Sequence, residues 1–371
     1  MKFSMLKDVN NGLRGDSAVV PARIRAAWAG RISGCLLGKP LEVLSFQEGR
    51  RGVESYLRGA AAWPLRDYVP LVEGTVVEQT GAACCRGHMH RAEPDDDINY
   101  TVLALLLLEE SGAGFETEDV ARAWLRLLPA GTTWTAERAA YRTMLDNMDD
   151  EFVNGAAAGF DLARCSDNEY NEWIGAQIRA DLYGWVTPGR PELAAELAEK
   201  DAALSHRGEG VYGARFIAAL GAAIPEEESI DAAIDVACRQ IPADSEAVDA
   251  VTLGRSLANV ADAVDRLHDY YDQMSPVHAV NNLALIVWAL CSANGDFGAA
   301  IGDTVAAGWD TDCNGATVGG LWGLQGRPIP EPWTKPWQGR VAVGLAGMDE
   351  LALDDLVART VAVAEKIATG G

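Results

Sequence analysis

The chain has few aromatic residues, little positive charge and no long apolar run. Phe, Trp and Tyr make up 7% of its 371 residues, and 31 Lys and Arg stand against 54 Asp and Glu, a formal net charge of −23. Such a surface repels phosphate backbones and anionic lipids, so we expect neither a nucleic-acid polymer nor a membrane as a partner. The longest apolar runs, 102–108 and 283–291, are too short to span a bilayer.

Paired cysteines and a targeting segment are also missing. The seven cysteines are an odd number and no C-x-x-C pair occurs, so a disulfide framework is not expected. Residues 1–16 contain no apolar segment of the kind that secretory signals carry. We therefore expect a cytoplasmic protein.

Helical periodicity is the dominant pattern. It predicts helices over 21–37, 97–110, 117–128, 168–184, 191–205, 211–223, 229–239, 245–266, 279–292, 297–307, 313–325 and 349–367. Strand signals are weak, at 68–72 and 74–77, and the glycine-rich stretch 50–90 is expected to form loops. Because no linker and no repeat occurs, the sequence favours a single all-α domain over residues 1–371.

Two acidic clusters each precede an apolar helix. Asp95, Asp96 and Asp97 form one, and Asp310 and Asp312 form the other. One carboxylate is enough to cap a helix N-terminus, whereas several close together repel one another unless a cation lies among them. If the two helix starts face each other, their oxygen ligands favour Mg²⁺ or Mn²⁺ over Zn²⁺. Coincident caps are the alternative interpretation.

Three segments resemble the ADP-ribosylglycohydrolase family, which includes hydrolases that remove ADP-ribose from modified proteins. They are RISGCLLGKPLE at 31–42, similar to the family's opening glycine-rich helix and glutamate; the Asp95–Asp97 run, similar to its T-D-D-T element; and GWDTDCNGATVGG at 308–320, similar to its G-D-T-D-T segment. IGAQIR at 174–179 is a weaker similarity. The resemblance covers about 21–335 and implies an all-helical fold with a two-metal centre between helices.

The resemblance also implies roles for individual residues. The magnesium ligands, two ions being expected, would be Asp96, Asp97, Asp310 and Asp312, with Asp95 beside them. Glu42 and Asp312 would be catalytic, Glu42 as the general base or as a gate over the site. The substrate-binding residues would be Gly175, Ala176 and His206 in the distal ribose or phosphate region. Asn99 and Trp309 are further candidates, and Trp309 beside Asp310 has two interpretations, as a core residue or as a ring that stacks on the substrate.

The implied activity is metal-dependent hydrolysis of an N- or O-glycosidic bond to ribose. The expected substrate is an ADP-ribosylated protein or a small ribosyl compound, and removal of ADP-ribose is the favoured reaction. One alternative is a hydrolase of another ribosyl or glycosyl small molecule. The other is a catalytically silent member that binds ADP-ribose.

Two positions depart from the family's pattern. Asp95 stands where the family has a threonine ligand, and Cys313 where a threonine follows the D-x-D pair. A thiol is a poor ligand for Mg²⁺, so we predict that Cys313 does not coordinate it. The alternative is a softer ion held by Cys313 with His88 or His90. His278 keeps two interpretations, as a helix cap or as a residue that points into the pocket.

Overall fold

The structure is a computed structural model that describes residues 19–370. The described part contains one small sheet, in which β1 (Arg340–Ala342) pairs antiparallel with β2 (Glu350–Ala352). Its α-helices are α1 (Val19–Gly59), α2 (Val76–Gly81), α3 (Asp96–Ser111), α4 (Thr117–Leu127), α5 (Thr135–Asn147), α6 (Asp181–Trp185), α7 (Pro191–Ala202), α8 (Gly208–Ala223), α9 (Ile230–Cys238), α10 (Glu246–Ser256), α11 (Ala263–Tyr270), α12 (Ala279–Ser292), α13 (Phe297–Ala306), α14 (Thr311–Leu324), α15 (Glu331–Thr334) and α16 (Leu353–Ala368). The all-α prediction is confirmed.

Helices that are apolar on every side lie in the interior. All of α14 is buried, and so is α12 from Ala279 to Leu290, because a helix without a polar face can only be covered by other helices. The outer helices are amphipathic; α4 buries Val120, Ala121 and Trp124 and keeps its charged residues outside. None of the helices between residues 19 and 370 combines the length and hydrophobicity that crossing a bilayer requires.

A row of glycines lets α1 and α14 pack backbone to backbone. A Cβ on Gly30 would lie 2.0 Å from the carbonyl oxygen of Gly319, and one on Gly34 would lie 1.9 Å from that of Gly315. One turn further, a Cβ on Gly38 would lie 2.3 Å from the backbone of Thr311. The helices therefore run antiparallel at minimal separation, and this contact brings the end of the row on α1 beside the start of α14.

Most predicted helices are found within a few residues of their predicted bounds, but three predictions are wrong. Residues 168–184 form turns, a 3-10 helix (Ile174–Arg179) and the short α6. There, Asn168 Nδ2 donates to the carbonyls of Cys165 and Ser205, and such side-chain bonds compete with a helix ladder. The predicted helix 245–266 is two helices, α10 and α11. The stretch 50–90, predicted as loops, contains the end of α1 and all of α2.

Helix ends and short elements account for the other differences. The first helix, predicted over 21–37, continues as α1 to Gly59 with a break at Gly49, where φ is +66°. Helix α5 was not predicted, although the spacing of its buried residues, Ala136, Ala140 and Met144, is helical. The weak strand signals at 68–72 and 74–77 correspond to no strand in the described structure, and residues 76–81 are helical.

Candidate metal centre and substrate cavity

The two acidic clusters form the N-termini of two buried helices, α3 and α14. Asp95 caps α3, and its Oδ1 accepts a hydrogen bond of 3.0 Å from the backbone N–H of Asp97. Asp310 occupies the capping position of α14. Both helix starts face the end of the glycine row on α1, where Glu42 lies one turn beyond Gly38. The structure thus brings together the residues that the sequence predicted as a centre.

Three groups of side chains have ligand atoms within 4.8 Å of one another. They are Glu42 with Asp310 and Asp312, Asp97 with Asp312 and Cys313, and Cys35 with Asp95 and Asp97. Asp312 belongs to the first two groups, and Asp97 belongs to the last two. Asp96 belongs to none of these groups; it is half-buried and lines the neighbouring cavity.

Several oxygens of this centre have no partner in the part of the chain that the structure describes. Asp97 Oδ2, Asp310 Oδ1 and Asp312 Oδ1 are buried without a hydrogen bond among the described residues. Burial and the neighbouring carboxylates raise the pKa of Glu42, Asp97 and Asp312 well above the ordinary range. Unpaired buried carboxylates are costly, and a hard divalent cation is the ligand that satisfies such oxygens. The donor set therefore fits Mg²⁺ or Mn²⁺.

Two basic residues reach the centre, and neither was predicted. Arg31 is fully buried and donates to Asp97 Oδ1 at 3.1 Å and to Asp181 Oδ2 at 2.8 Å. Lys39 forms an ion pair with Asp95, the residue that replaces the family's threonine, and thereby neutralises the extra charge. The sequence signal was present, since these two are the only charged residues in the segment 26–41.

A cavity of about 790 Å³ opens beside the carboxylates. Its metal side is formed by Lys39, Glu42, Asp95, Asp96 and Asp310, and its walls include Phe46, Trp134, Trp173, Ile174 and Val277. Apolar walls with a few convergent polar groups are typical of small-molecule sites. The cavity is therefore the candidate substrate site.

The residues assigned to substrate binding do not all reach this cavity. Asn99 and Gly175 line it, and Asn99 Oδ1 accepts a 2.8 Å hydrogen bond from the backbone N–H of Gly344. Ala176 and His206 are buried and are not part of the cavity wall. Trp309 is also outside the wall, because its ring stacks on His268 at 4.3 Å between centroids.

The remaining predictions concern histidines. His278 caps α12, because its Nδ1 accepts a hydrogen bond of 3.3 Å from the backbone N–H of Val280. Of the two interpretations of His278, the structure therefore agrees with the helix cap. The neighbouring Asn282 donates to the carbonyl of Pro276 on the cavity wall and accepts from Asn314 of α14. His88 and His90 are exposed, and neither belongs to the three ligand groups found among residues 19–370.

A second group of buried charges lies at the other end of the cavity, and it was also not predicted. Arg179 is 2% exposed and donates to Glu137 Oε1 at 2.6 Å and to Asp201 Oδ1 at 2.5 Å. It also donates to Ser205 Oγ at 2.9 Å. Glu137 lines the cavity beside Gly175. We call these residues, Glu137, Arg179 and Asp201, the distal triad.

Comparisons with known proteins agree with this geometry. Residues 16–365 match the family model described as ADP-ribosylglycohydrolase. Among solved structures, the chain is similar to an "ADP-ribosylglycohydrolase-related protein complex" with a TM-score of 0.53 and 19% identity, over 93% of this chain and 98% of that one. A search of curated proteins gave no match.

Proposed function

Because the chain belongs to the ADP-ribosylglycohydrolase family, we propose that it hydrolyses an N- or O-glycosidic bond to ribose at a centre of two divalent cations. The three unpartnered buried carboxylate oxygens carry this proposal, since they lie at two helix starts beside a cavity of substrate size. The two ligand groups that share Asp312 support two ions, Mg²⁺ by preference and Mn²⁺ as a substitute.

The cations, when bound, would hold the sugar hydroxyls and stabilise developing negative charge. Asp97, Asp310 and Asp312 would hold the cations. Asp95 lies beside them and is paired with Lys39. Glu42 lines the cavity, and its carboxylate lies within 4.8 Å of the carboxylates of Asp310 and Asp312. Burial and Asp310 raise the pKa of Glu42 in the metal-free protein, and a cation bound beside it would favour the ionised carboxylate that a general base requires.

Two substrates are proposed for this reaction. The ADP-ribosyl group of a modified protein is the one that the family name suggests. A smaller ribosyl or glycosyl compound is the second, and Glu137, the acid of the cavity wall that lies outside the metal centre, favours it. Asp97, Asp310 and Asp312 are in place together with Glu42, which supports an active enzyme over a silent binding protein. We also propose a reducing compartment such as the cytoplasm, because the seven cysteines are free.

The decisive experiment measures hydrolysis of ribosyl and ADP-ribosyl substrates in EDTA and in millimolar Mg²⁺ or Mn²⁺. We expect turnover only with a divalent ion. Glu42→Gln keeps the shape of the side chain and removes the base, so it should lower the rate and retain metal binding. Glu48→Gln, an exposed change on the same helix, is the matched control. Full activity in Glu42→Gln would rule out the role given to Glu42, and turnover in EDTA would rule out the metal-dependent reaction.

A further inference from the structure

The charge at the distal end of the cavity limits what a substrate can carry there. Lys39 is the only basic residue among the described residues that line the cavity, and it is paired with Asp95 at the metal end. The distal end is lined by Glu137, whose carboxylate lies directly against Gly175: a Cβ on that glycine would be 2.2 Å from Glu137 Oε1. An anionic substrate group near Gly175 would therefore meet a carboxylate.

The cation of the distal triad is not available to a ligand. The guanidinium of Arg179 is nearly inaccessible and makes hydrogen bonds to Glu137, Asp201 and Ser205. One positive and two negative groups leave the distal triad with a net negative charge. His206 behind it adds no positive charge at neutral pH, because burial lowers its pKa well below the ordinary value.

Helix α5 provides no free anion site either. Its N-terminus lies on the cavity wall through Trp134 and Thr135, and a helix N-terminus attracts negative charge. Glu137 is the acidic residue in its first turn, so the protein itself supplies the anion there.

The distal end nevertheless has an unsatisfied polar atom. Tyr100 is 2% exposed and lines the cavity, and its hydroxyl is buried without a hydrogen-bond partner among the described residues. A buried hydroxyl without a partner keeps an unused hydrogen-bonding capacity beside the cavity, which a ligand group or an ordered water can fill. A ligand N–H or O–H group can donate both to this hydroxyl and to the Glu137 carboxylate, whereas a phosphate would face repulsion from Glu137.

We infer that the site takes a ribosyl compound without phosphate, whose part near Gly175 is neutral or cationic and carries hydrogen-bond donors, such as an amine, a guanidine or an amide. Glu137 is then the specificity-determining residue, with Tyr100 beside it. This inference rests on the proposed glycosidic hydrolysis and selects the second of the two substrate classes.

The test uses three substrates with one linkage: ribosyl-agmatine with a free 5′-hydroxyl, its 5′-phosphate, and ADP-ribosyl-agmatine. We expect kcat/KM for the 5′-hydroxyl form to exceed that of each phosphorylated form by about 10-fold or more in the full-length protein with Mg²⁺. Glu137→Gln keeps the shape and an acceptor for Arg179, and it should reduce this ratio by improving the phosphorylated substrates. Glu365→Gln, exposed on α16, should leave the ratio unchanged.

The outcomes separate the inference from the proposed function. Equal or faster hydrolysis of ADP-ribosyl-agmatine overturns the inference and supports the family activity. If no substrate is hydrolysed, the proposed function fails, and calorimetric titration then tests the inference alone, because tighter binding of ADP-ribose than of the 5′-hydroxyl compound would overturn it. Should Glu137→Gln fail to fold, the preference of the unmodified protein still decides.

Discussion

Buried carboxylates occur at both ends of one cavity, and the protein treats the two groups differently. At the distal end, Arg179 donates directly to both Glu137 and Asp201, so each of these acids has a cationic partner. At the metal end, Arg31 pairs with Asp97 and Lys39 pairs with Asp95. Asp310 and Asp312 each retain an oxygen that has no hydrogen-bond partner between residues 19 and 370.

The difference separates carboxylates that are paired with a cation inside the protein from carboxylates that are left to bind a cation from solution. A buried ion pair needs nothing from solution, whereas buried carboxylates without cations favour any cation that binds the folded state. Removing a charge should therefore have opposite effects at the two ends: it destabilises the distal triad and stabilises the metal-free centre.

The largest effect is expected from Asp312→Asn. Asp312 belongs to two ligand groups and, unlike Asp97, which also belongs to two, it is not paired with Arg31. Turnover should fall by about 100-fold or more, as the loss of a metal ligand removes the positioning of the sugar. In EDTA, however, the variant should unfold at a higher temperature than the unmodified protein, since one repelling carboxylate is gone.

Initial rates and thermal unfolding in EDTA are the two measurements for this variant. Asp349→Asn, an exposed change, serves as control and should alter neither. A metal-free Asp312→Asn protein less stable than the unmodified one would mean that this carboxylate is part of the fold's own pairing, and the contrast between the two ends would disappear.

Arg179→Met tests the other end. It leaves Glu137 and Asp201 buried without their cation, so the free energy of unfolding should fall by about 3–5 kcal/mol. Arg239→Met, at an exposed position, should change it by less than about 0.5 kcal/mol. Denaturant unfolding gives both values. If Arg179→Met lowered the free energy of unfolding only slightly, the charges of the distal triad would be solvated and would not stabilise the fold as buried ion pairs.

A smaller effect is expected from pH in the absence of metal. The pKa of Glu42, Asp97 and Asp312 is raised by burial and by neighbouring carboxylates, and burial also raises that of Asp181 to about 6. Above their unfolded-state values, near 4, the folded protein therefore holds protons that the unfolded chain has released, and its stability increases as pH falls. In EDTA, the melting temperature should be a few degrees higher at pH 5.5 than at pH 8.

Mg²⁺ should shift this dependence, because a bound cation favours the ionised carboxylates. The gain in melting temperature at pH 8 should then exceed that at pH 5.5. A change of net charge over the whole surface would also alter stability with pH, and Asp312→Asn distinguishes the two causes: it should weaken the dependence measured in EDTA. An equal effect of Mg²⁺ at both pH values would contradict the assignment of the raised pKa values to the metal end.

The metal end could be predicted from the sequence because its chemistry is local. Asp95–Asp97 and Asp310–Asp312 are contiguous acidic clusters at helix starts, and helix capping explains only part of such a cluster. The glycines of α1 and α14 explain why the starts meet, since a spacing of four residues places them on one face of each helix.

The distal triad could not be predicted in the same way. Glu137, Arg179 and Asp201 come from three separate segments and are brought together only by packing. Arg179 lies in a 3-10 helix where periodicity predicted an α-helix, and Glu137 lies in α5, which was not predicted. Ala176 and His206, which the resemblance assigned to substrate binding, are buried and do not line the cavity. A buried arginine has no sequence pattern of its own.

The smallest change is expected at Cys313, which lies in the ligand group of Asp97 and Asp312. Burial and then Asp310 raise the pKa of its thiol well above the ordinary value, so the thiol is neutral before a metal binds. A neutral sulfur adds no charge and is a poor match for Mg²⁺.

Cys313→Thr offers an oxygen instead, so it should keep or slightly tighten Mg²⁺ binding and retain activity. Calorimetric titration with Mg²⁺ and metal analysis of the purified protein measure this. If the native protein carries zinc or iron and Cys313→Thr loses it, the thiol is a ligand and the metal end binds a softer ion than its carboxylates indicate.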